Sequence, residues 1–228
     1  MGISDNYAYI KQKIEETAVT SSRNPDDISI IAVSKTFPPD VVQNAIDNGI
    51  TLLGENKIQE ARNKIPALRG DFSVHLVGHL QSNKAKYAVQ LFDCIHSIDK
   101  FSTAEKLNEE ALKAGRTMDI LVQVNTSGES SKFGVSPDKT EALCRQISPL
   151  ENLSLRGLMT IGPNTDNQDS IRQAFRQLRE LRDKINSNTE MKLRDLSMGM
   201  SSDFQIAVEE GATMVRIGSS IFGTRSYT

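Results

Sequence analysis

Short apolar runs alternate with amphipathic stretches along most of the chain. The β-branched run at 28–33 predicts a strand buried on both faces, and Pro38-Pro39 separates it from the next helix. Upstream, apolar positions four residues apart predict a first helix over 5–21, with Asp5 as its cap. Further runs predict strands at 51–54, 73–77, 93–98, 119–125, 153–159, 192–197 and 213–217. Amphipathic segments separate these strands, and the pattern predicts no clear helix after the last one.

This alternation favours one closed barrel. Strands joined by helices at such spacing pair in parallel through right-handed crossovers. Eight units in 228 residues fit a single (β/α)8 TIM-type barrel over 1–228, preceded by the extra N-terminal helix. An open doubly wound sheet is the alternative, because periodicity does not count strands reliably.

Composition narrows the class of protein. With 38% hydrophobic and 25% charged residues, the chain is typical of a soluble globular protein. A net charge of -2 gives no electrostatic attraction to nucleic acid or anionic lipid, so neither is expected as a partner. No signal-peptide pattern opens the sequence, which indicates a cytoplasmic location. Cys94 and Cys144 lack CxxC spacing and are expected to be buried thiols.

Lys35 follows the first predicted strand, where strand becomes loop. Desolvation of an ammonium group there would lower its pKa and leave a neutral amine, which can attack an aldehyde to form a Schiff base. The structural alternative is a lysine that extends from the strand end into solvent. This stretch alone does not decide between them.

The loops after the seventh and eighth predicted strands resemble an anion site. In TIM barrels these loops often hold a phosphate group with backbone amides and a helix N-terminus. Ser201-Ser202-Asp203 looks like a helix start, and Gly218-Ser219-Ser220 lets the backbone approach an anion. An ordinary helix cap and turn is the other interpretation.

Arg216 lies in the otherwise apolar last strand and needs a partner. That partner is either a bound anion or a carboxylate on a neighbouring strand. Together, the lysine, the anion site and the arginine indicate a cofactor that carries both an aldehyde and a phosphate. Pyridoxal 5'-phosphate (PLP) has both groups.

Other chemistry is less well supported. His75 and His79 would be separated by roughly 13 Å on a strand, too far for one metal ion, and no metal site is expected. The dinucleotide and serine-hydrolase motifs GxGxxG and GxSxG are absent. Glu55, Asp93 and Asp99 are candidate acids without an evident partner.

Several motifs resemble the pyridoxal phosphate homeostasis proteins, a family of small PLP-binding proteins related to the barrel of alanine racemase. They are VSKT at 33–36, GEN at 54–56, HLVGHLQSNK at 75–84, VNTSGESSKFG at 124–134, LRGLMTIGP at 155–163, LSMGMSSDFQIAV at 196–208 and VRIGSSIFG at 215–223. The resemblance covers nearly the whole chain. It implies a single barrel of PLP fold-type III.

The resemblance also implies roles for individual residues. Lys35 would form the internal aldimine with PLP, and Asn56 would lie close to the cofactor. Arg216 would face the pyridine nitrogen, and because a guanidinium keeps its proton, that nitrogen would stay unprotonated and be a poor electron sink. The phosphate would be held by Met200, Ser201, Gly218 and Ser219.

The resemblance further implies a carrier that keeps free PLP low and delivers it, without robust turnover. Racemases of this type add a β-domain and a catalytic tyrosine. This chain ends with its barrel, and because racemases of this type dimerise through the β-domain, a monomer is expected. Tyr227 is the only tyrosine predicted near the strand-end loops, and the catalytic role is not assigned to it. PLP-dependent apoenzymes or a regulatory protein are possible partners. The alternatives are a fold-type III amino acid racemase or lyase that uses Lys35 as its base, and a Schiff-base aldolase without PLP.

Overall fold

The computed structural model describes residues 2–129 and 131–223. The strands are β1 Ser29–Val33, β2 Leu52–Glu55, β3 Ser73–Leu76, β4 Cys94–Ile98, β5 Met118–Gln123, β6 Leu153–Met159, β7 Asp195–Ser197 and β8 Met214–Ile217. The helices are α1 Ile3–Thr20, α2 Pro39–Asp47, α3 Ile58–Lys64, α4 Ala85–Leu91, α5 Phe101–Lys113, α6 Pro137–Ile147, α7 Gln168–Asn188, α8 Phe204–Glu209 and α9 Ser219–Phe222. Short 3-10 helices cover Pro25–Asp27, Ile65–Ala67 and Ser82–Lys84.

The eight strands form a closed parallel barrel in sequence order. Closure comes from the pairing of β1 with β8, in which Ile31 lies opposite Arg216 and Ala32 opposite Ile217. A closed ring has no edge strands, so the open-sheet alternative is wrong and the predicted barrel is confirmed. Closure also places the carboxyl end of β1 beside that of β8, which brings the loops that begin at Ser34 and Gly218 together.

Apolar packing occurs on both sides of the barrel wall. The larger core lies between strands and helices and includes Leu53, Ile95 and Phe175, all fully or almost fully buried. Inside the barrel, Ile31 and Val33 pack against Val77. Since strand side chains alternate between faces, the inward direction of Ile31 and Val33 places the next odd-numbered residue, Lys35, on the same side.

The two ends of the chain differ from the sequence-based expectation. Asp5 is not the cap of α1, because Gly2 occupies that position and its backbone amide donates to Asp5 Oδ2 at 3.1 Å. A short helix, α9, follows β8, where none was predicted. Asn6 Nδ2 on α1 donates to the carbonyl oxygen of Ile221 in α9 at 3.0 Å. The first helix thus holds the segment after β8 in place.

No helix in the described ranges combines the length and the hydropathy that crossing a bilayer requires.

Candidate cofactor site

Lys35 lies in the turn that follows β1, between two residues that are both held firmly. Ser34 is fully buried in the barrel wall, and its backbone amide donates to the carbonyl oxygen of Gly54 at 2.9 Å. Thr36 has a φ of 69°, in the left-handed region that non-glycine residues rarely adopt. Such a conformation persists only where the surrounding structure imposes it.

A buried network around Lys64 imposes it. Lys64 Nζ donates to the carbonyl oxygen of Ser34 at 2.8 Å, to Glu55 Oε1 at 2.8 Å and to Glu60 Oε1 at 3.0 Å. Glu60 accepts from the backbone amide of Thr36, and Ser34 Oγ donates to Glu55 Oε1 at 2.6 Å. Both neighbours of Lys35 are therefore fixed by side chains of β2 and α3.

The network also corrects the view that Glu55 has no partner. Glu55 is 1% exposed. Burial raises the pKa of its carboxyl group, and hydrogen bonds from Lys64 and Ser34 oppose that shift. We interpret Glu55 as part of the support for Lys35, because it lies in the wall rather than at the cavity surface.

A cavity of about 500 Å³ opens at the carboxyl end of the barrel. Every predicted site residue lines it: Lys35, Asn56, Met200, Ser201, Arg216, Gly218 and Ser219. A larger, open cleft of about 1040 Å³ lies between α7 and the loops after β5 and β6, and none of these residues lines it. The chemistry predicted from the sequence therefore converges on the smaller cavity.

Eight further residues line this cavity: Val33, Val77, Gly78, His79, Gln123, Phe133, Ile161 and Ser202. The sequence placed Ser202 in the anion site, His79 was considered only as a metal ligand, and the other six were assigned to no site. Two of the eight cover the cavity from separate loops, since the His79 ring stacks on the Phe133 ring with centroids 4.0 Å apart. Asp99 Oδ2 lies 3.9 Å from His79 Nδ1. The HLVGHLQSNK and VNTSGESSKFG motifs were the available signal, but they do not show that their loops meet.

The loops after β7 and β8 provide amide donors at the cavity. Asp203 Oδ1 accepts from the backbone amide of Met200 at 2.5 Å and tightens the turn. Over the ranges that the structure covers, the amides of Ser201 and Ser202 donate no hydrogen bond. Gly199 starts this turn with a φ of 88°, and a Cβ there would lie 2.5 Å from Ala207 Cβ. A glycine is thus required to fold this loop against α8.

Arg216 reaches the cavity from inside the barrel and is 5% exposed. Its NH1 donates to Ser197 Oγ at 2.7 Å, and its NH2 donates to the carbonyl oxygen of Thr160 at 2.8 Å. Burial lowers the pKa of Arg216 to about 10, while the charge of Asp203 acts in the opposite direction. The guanidinium remains charged at neutral pH.

His96, to which no sequence motif pointed, lies next to His75 within the barrel. His75 Nδ1 and His96 Nε2 are 3.0 Å apart, and His96 Nδ1 lies 2.9 Å from Ser197 Oγ. The sulfur of Cys94 is a third potential metal ligand, and it lies within 4.8 Å of a ring nitrogen of each histidine. His75 was paired with His79 in the sequence analysis, although its real neighbour comes from the next strand.

Comparison with known proteins places these features in context. The sequence matches the family described as alanine racemase, N-terminal domain, over residues 6–226. It is 38% identical over 228 residues to the pyridoxal phosphate homeostasis protein of Aquifex aeolicus, with 100% of both chains covered. PipY of Synechococcus elongatus, solved with PLP bound, is 35% identical with a TM-score of 0.86 and covers 97% of this chain and 100% of its own. An alanine racemase of Clostridium difficile shares the fold, at 17% identity and a TM-score of 0.79, over 97% of this chain and 57% of its own.

Proposed function

This chain belongs to the pyridoxal phosphate homeostasis protein family, and on that premise we propose that it binds PLP covalently through Lys35 and serves to store and deliver it. The supporting observation is one cavity that combines an amine, free backbone amides and a buried guanidinium. When bound, PLP would supply an aldehyde that condenses reversibly with the amine of Lys35.

The residues present fit each part of this cofactor. Amides of Ser201 and Ser202 and the backbone at Gly218 and Ser219 suit a phosphate dianion. Arg216 suits an unprotonated ring nitrogen, because a guanidinium donates hydrogen bonds and accepts none. Asn56 adds a polar contact and Met200 an apolar one along the cavity wall.

The charge on Arg216 supports storage rather than turnover. A charged donor at the ring nitrogen keeps that nitrogen unprotonated and weakens the electron sink on which most PLP enzymes depend. Tyr227, the tyrosine considered near the strand-end loops, falls outside the described residues. A racemase or lyase would exchange the Cα proton of single amino acid enantiomers in deuterium oxide, whereas a carrier would leave it in place overnight.

We further propose that the protein is a cytoplasmic monomer and that it transfers PLP to PLP-dependent apoenzymes or to a regulatory protein. Size-exclusion chromatography with light scattering measures the molar mass and so tests whether the protein is a monomer. Incubation of the loaded protein with an apoenzyme, followed by measurement of the activity that the apoenzyme gains, tests delivery.

Titration with PLP tests covalent binding. The wild type is expected to develop the visible absorption band of a lysine Schiff base, shifted from the spectrum of free PLP. Lys35→Ala is expected to lose this band while retaining weaker, phosphate-held binding, and Lys57→Ala, a change at an exposed lysine outside the cavity, is expected to keep it. An unchanged band in Lys35→Ala would refute the assignment.

A further inference from the structure

Arg216 carries a buried charge that is not directly paired with a carboxylate among the described residues, although the charge of Asp203 acts on it from beyond 4.0 Å. Across the described residues, none of the ion pairs within 4.0 Å includes it. Its acceptors are two neutral oxygens, Ser197 Oγ and the carbonyl oxygen of Thr160. A buried charge is costly unless dipoles replace the lost water. Further dipoles in the barrel are therefore expected to stabilise the charge of Arg216.

Beyond Ser197, the hydrogen bonds continue through the barrel interior. Ser197 Oγ lies 2.9 Å from His96 Nδ1, and His96 Nε2 lies 3.0 Å from His75 Nδ1. Ser197 and His96 are fully buried, and His75 is partly buried. These three side chains, here called the interior column, come from β7, β4 and β3. They run from Arg216 towards the amino-terminal end of the barrel.

The charge of Arg216 determines the direction of the column. Burial keeps both imidazoles neutral at neutral pH, so each has one N–H group and one lone pair. Ser197 Oγ accepts from Arg216 and can donate its single proton to His96 Nδ1. His96 then carries its proton on Nε2 and donates to His75 Nδ1. In this direction every dipole turns its negative end towards the guanidinium, whereas the opposite direction points an N–H group of His96 towards it.

A metal ion is a weaker explanation for the same histidines. Nitrogen ligands on one tetrahedral zinc ion are held about 2.0–2.1 Å from the metal and therefore about 3.3–3.4 Å from each other. The separation of 3.0 Å between His75 Nδ1 and His96 Nε2 is instead that of a hydrogen bond.

We propose that Ser197, His96 and His75 are positioning residues for Arg216. They solvate its charge through a directed chain of neutral hydrogen bonds and hold its remaining N–H groups towards the cofactor cavity. What Arg216 then contacts, the ring nitrogen of PLP, rests on the proposed function. The column itself does not depend on PLP.

Nitrogen-15 NMR of the PLP-free protein, labelled at histidine, tests the direction of the column. The chain has three histidines, so the spectrum contains three rings, and His75→Asn and His96→Asn assign two of them. Both His75 and His96 are expected to be neutral with the proton on Nε2, with scalar coupling between His96 Nε2 and His75 Nδ1. A proton on Nδ1 of His96, or no coupling between the two rings, would overturn the proposal.

Ser197→Ala and His96→Phe test the consequence for the cofactor. Loss of Ser197 Oγ removes one hydrogen bond to the buried charge, and loss of the His96 ring removes the group to which Ser197 donates. Either change is expected to weaken PLP binding by about tenfold. It is also expected to shift the absorption and fluorescence of bound PLP, while the adduct stays on Lys35. Cys94→Ala is the control, because it removes a buried side chain from the same interior without breaking the column, and it should leave the spectra of bound PLP unchanged.

The outcomes separate the two proposals. Wild-type affinity and spectra in Ser197→Ala would overturn the positioning role, even if His96→Phe fails to fold. A wild-type protein that binds no PLP would refute the proposed function, and the NMR measurement would still decide whether the column exists.

Discussion

Lys64 Nζ donates a hydrogen bond to the carbonyl oxygen of Ser34, the residue before Lys35, over 2.8 Å in the buried wall of the barrel. A lysine of α3 therefore determines where the chain turns at the end of β1. Its other partners are carboxylates, so the ammonium stays paired although it is 4% exposed. Another lysine thus positions the amine that we assign to PLP.

Removal of this ammonium should destabilise the protein. Lys64→Met would leave Glu55 buried without its counter-ion, and we expect a loss of about 3–5 kcal/mol in the free energy of unfolding. Urea denaturation measures it, with Lys86→Met, an exposed change on α4, as the control. Adding Glu55→Gln should restore part of the loss, because it removes the unpaired charge. A single variant as stable as the wild type would show that the network does not hold the turn.

Glu210 gives a second test of stability, which depends on pH and concerns a residue that does not line the cofactor cavity. This carboxylate is 3% exposed and lies within 3.2 Å of Arg172, Arg176 and Arg179 on α7. Burial raises its pKa, but hydrogen bonds from Arg176 and Arg172 outweigh that effect and the net pKa is lowered. A lowered pKa means that the carboxylate stabilises the fold above its ordinary pKa and loses that effect as the pH falls.

Glu210→Gln is therefore expected to cost about 1–2 kcal/mol at pH 7, since the arginines are partly exposed and can be rehydrated. The difference from the wild type should shrink below about pH 4. Chemical denaturation at both pH values measures it. Glu209→Gln, which removes an exposed carboxylate whose one ion pair among the described residues is with Arg172, should cost less. Equal costs for the two variants would contradict this interpretation.

The buried histidines predict that the free energy of unfolding also depends on pH in the range above that of Glu210. Burial lowers the pKa of His75 to about 4, against the opposing charges of Asp93 and Asp119. Burial also lowers the pKa of His96 well below its ordinary value, and the charges of His75 and Arg216 add to this effect. Both rings would take up a proton on unfolding below pH 6.5, so acid favours the unfolded chain.

Between pH 6.5 and 5, the free energy of unfolding should fall by up to about 1.4 kcal/mol per pH unit for each histidine. His75→Asn should reduce this slope in denaturation experiments over the same range. A wild-type profile that is flat over this interval would contradict the interpretation that both rings are neutral in the folded state, because one neutral ring alone would still give a slope.

The sequence predicted much of the fold because local signals were strong. Proline and glycine punctuate the strand–helix units, and β6 begins and ends where the pattern places it. The helix α9 was missed because four residues give no helical period. Asp5 was misassigned because an acidic residue suits the first turn as well as the cap position.

The site was predictable where one loop carries its own chemistry, as for Lys35 and the serine-rich turns. The interior column was not, because each of its members lies on a different strand. Ser197 and His96 are 101 positions apart, and only closure of the barrel brings their side chains within 2.9 Å. The role of Lys64 was also hidden, because its spacing in the sequence is typical of an ordinary charged helix face.

Identification of the lysine that reacts tests the central claim most directly. The PLP-loaded protein is treated with borohydride, which fixes a Schiff base as a stable amine, and the modified peptide is mapped by mass spectrometry. We predict a single phosphopyridoxyl group on Lys35, absent from Lys35→Ala. A label confined to another lysine, or no label on a protein that shows the visible band, would contradict the account.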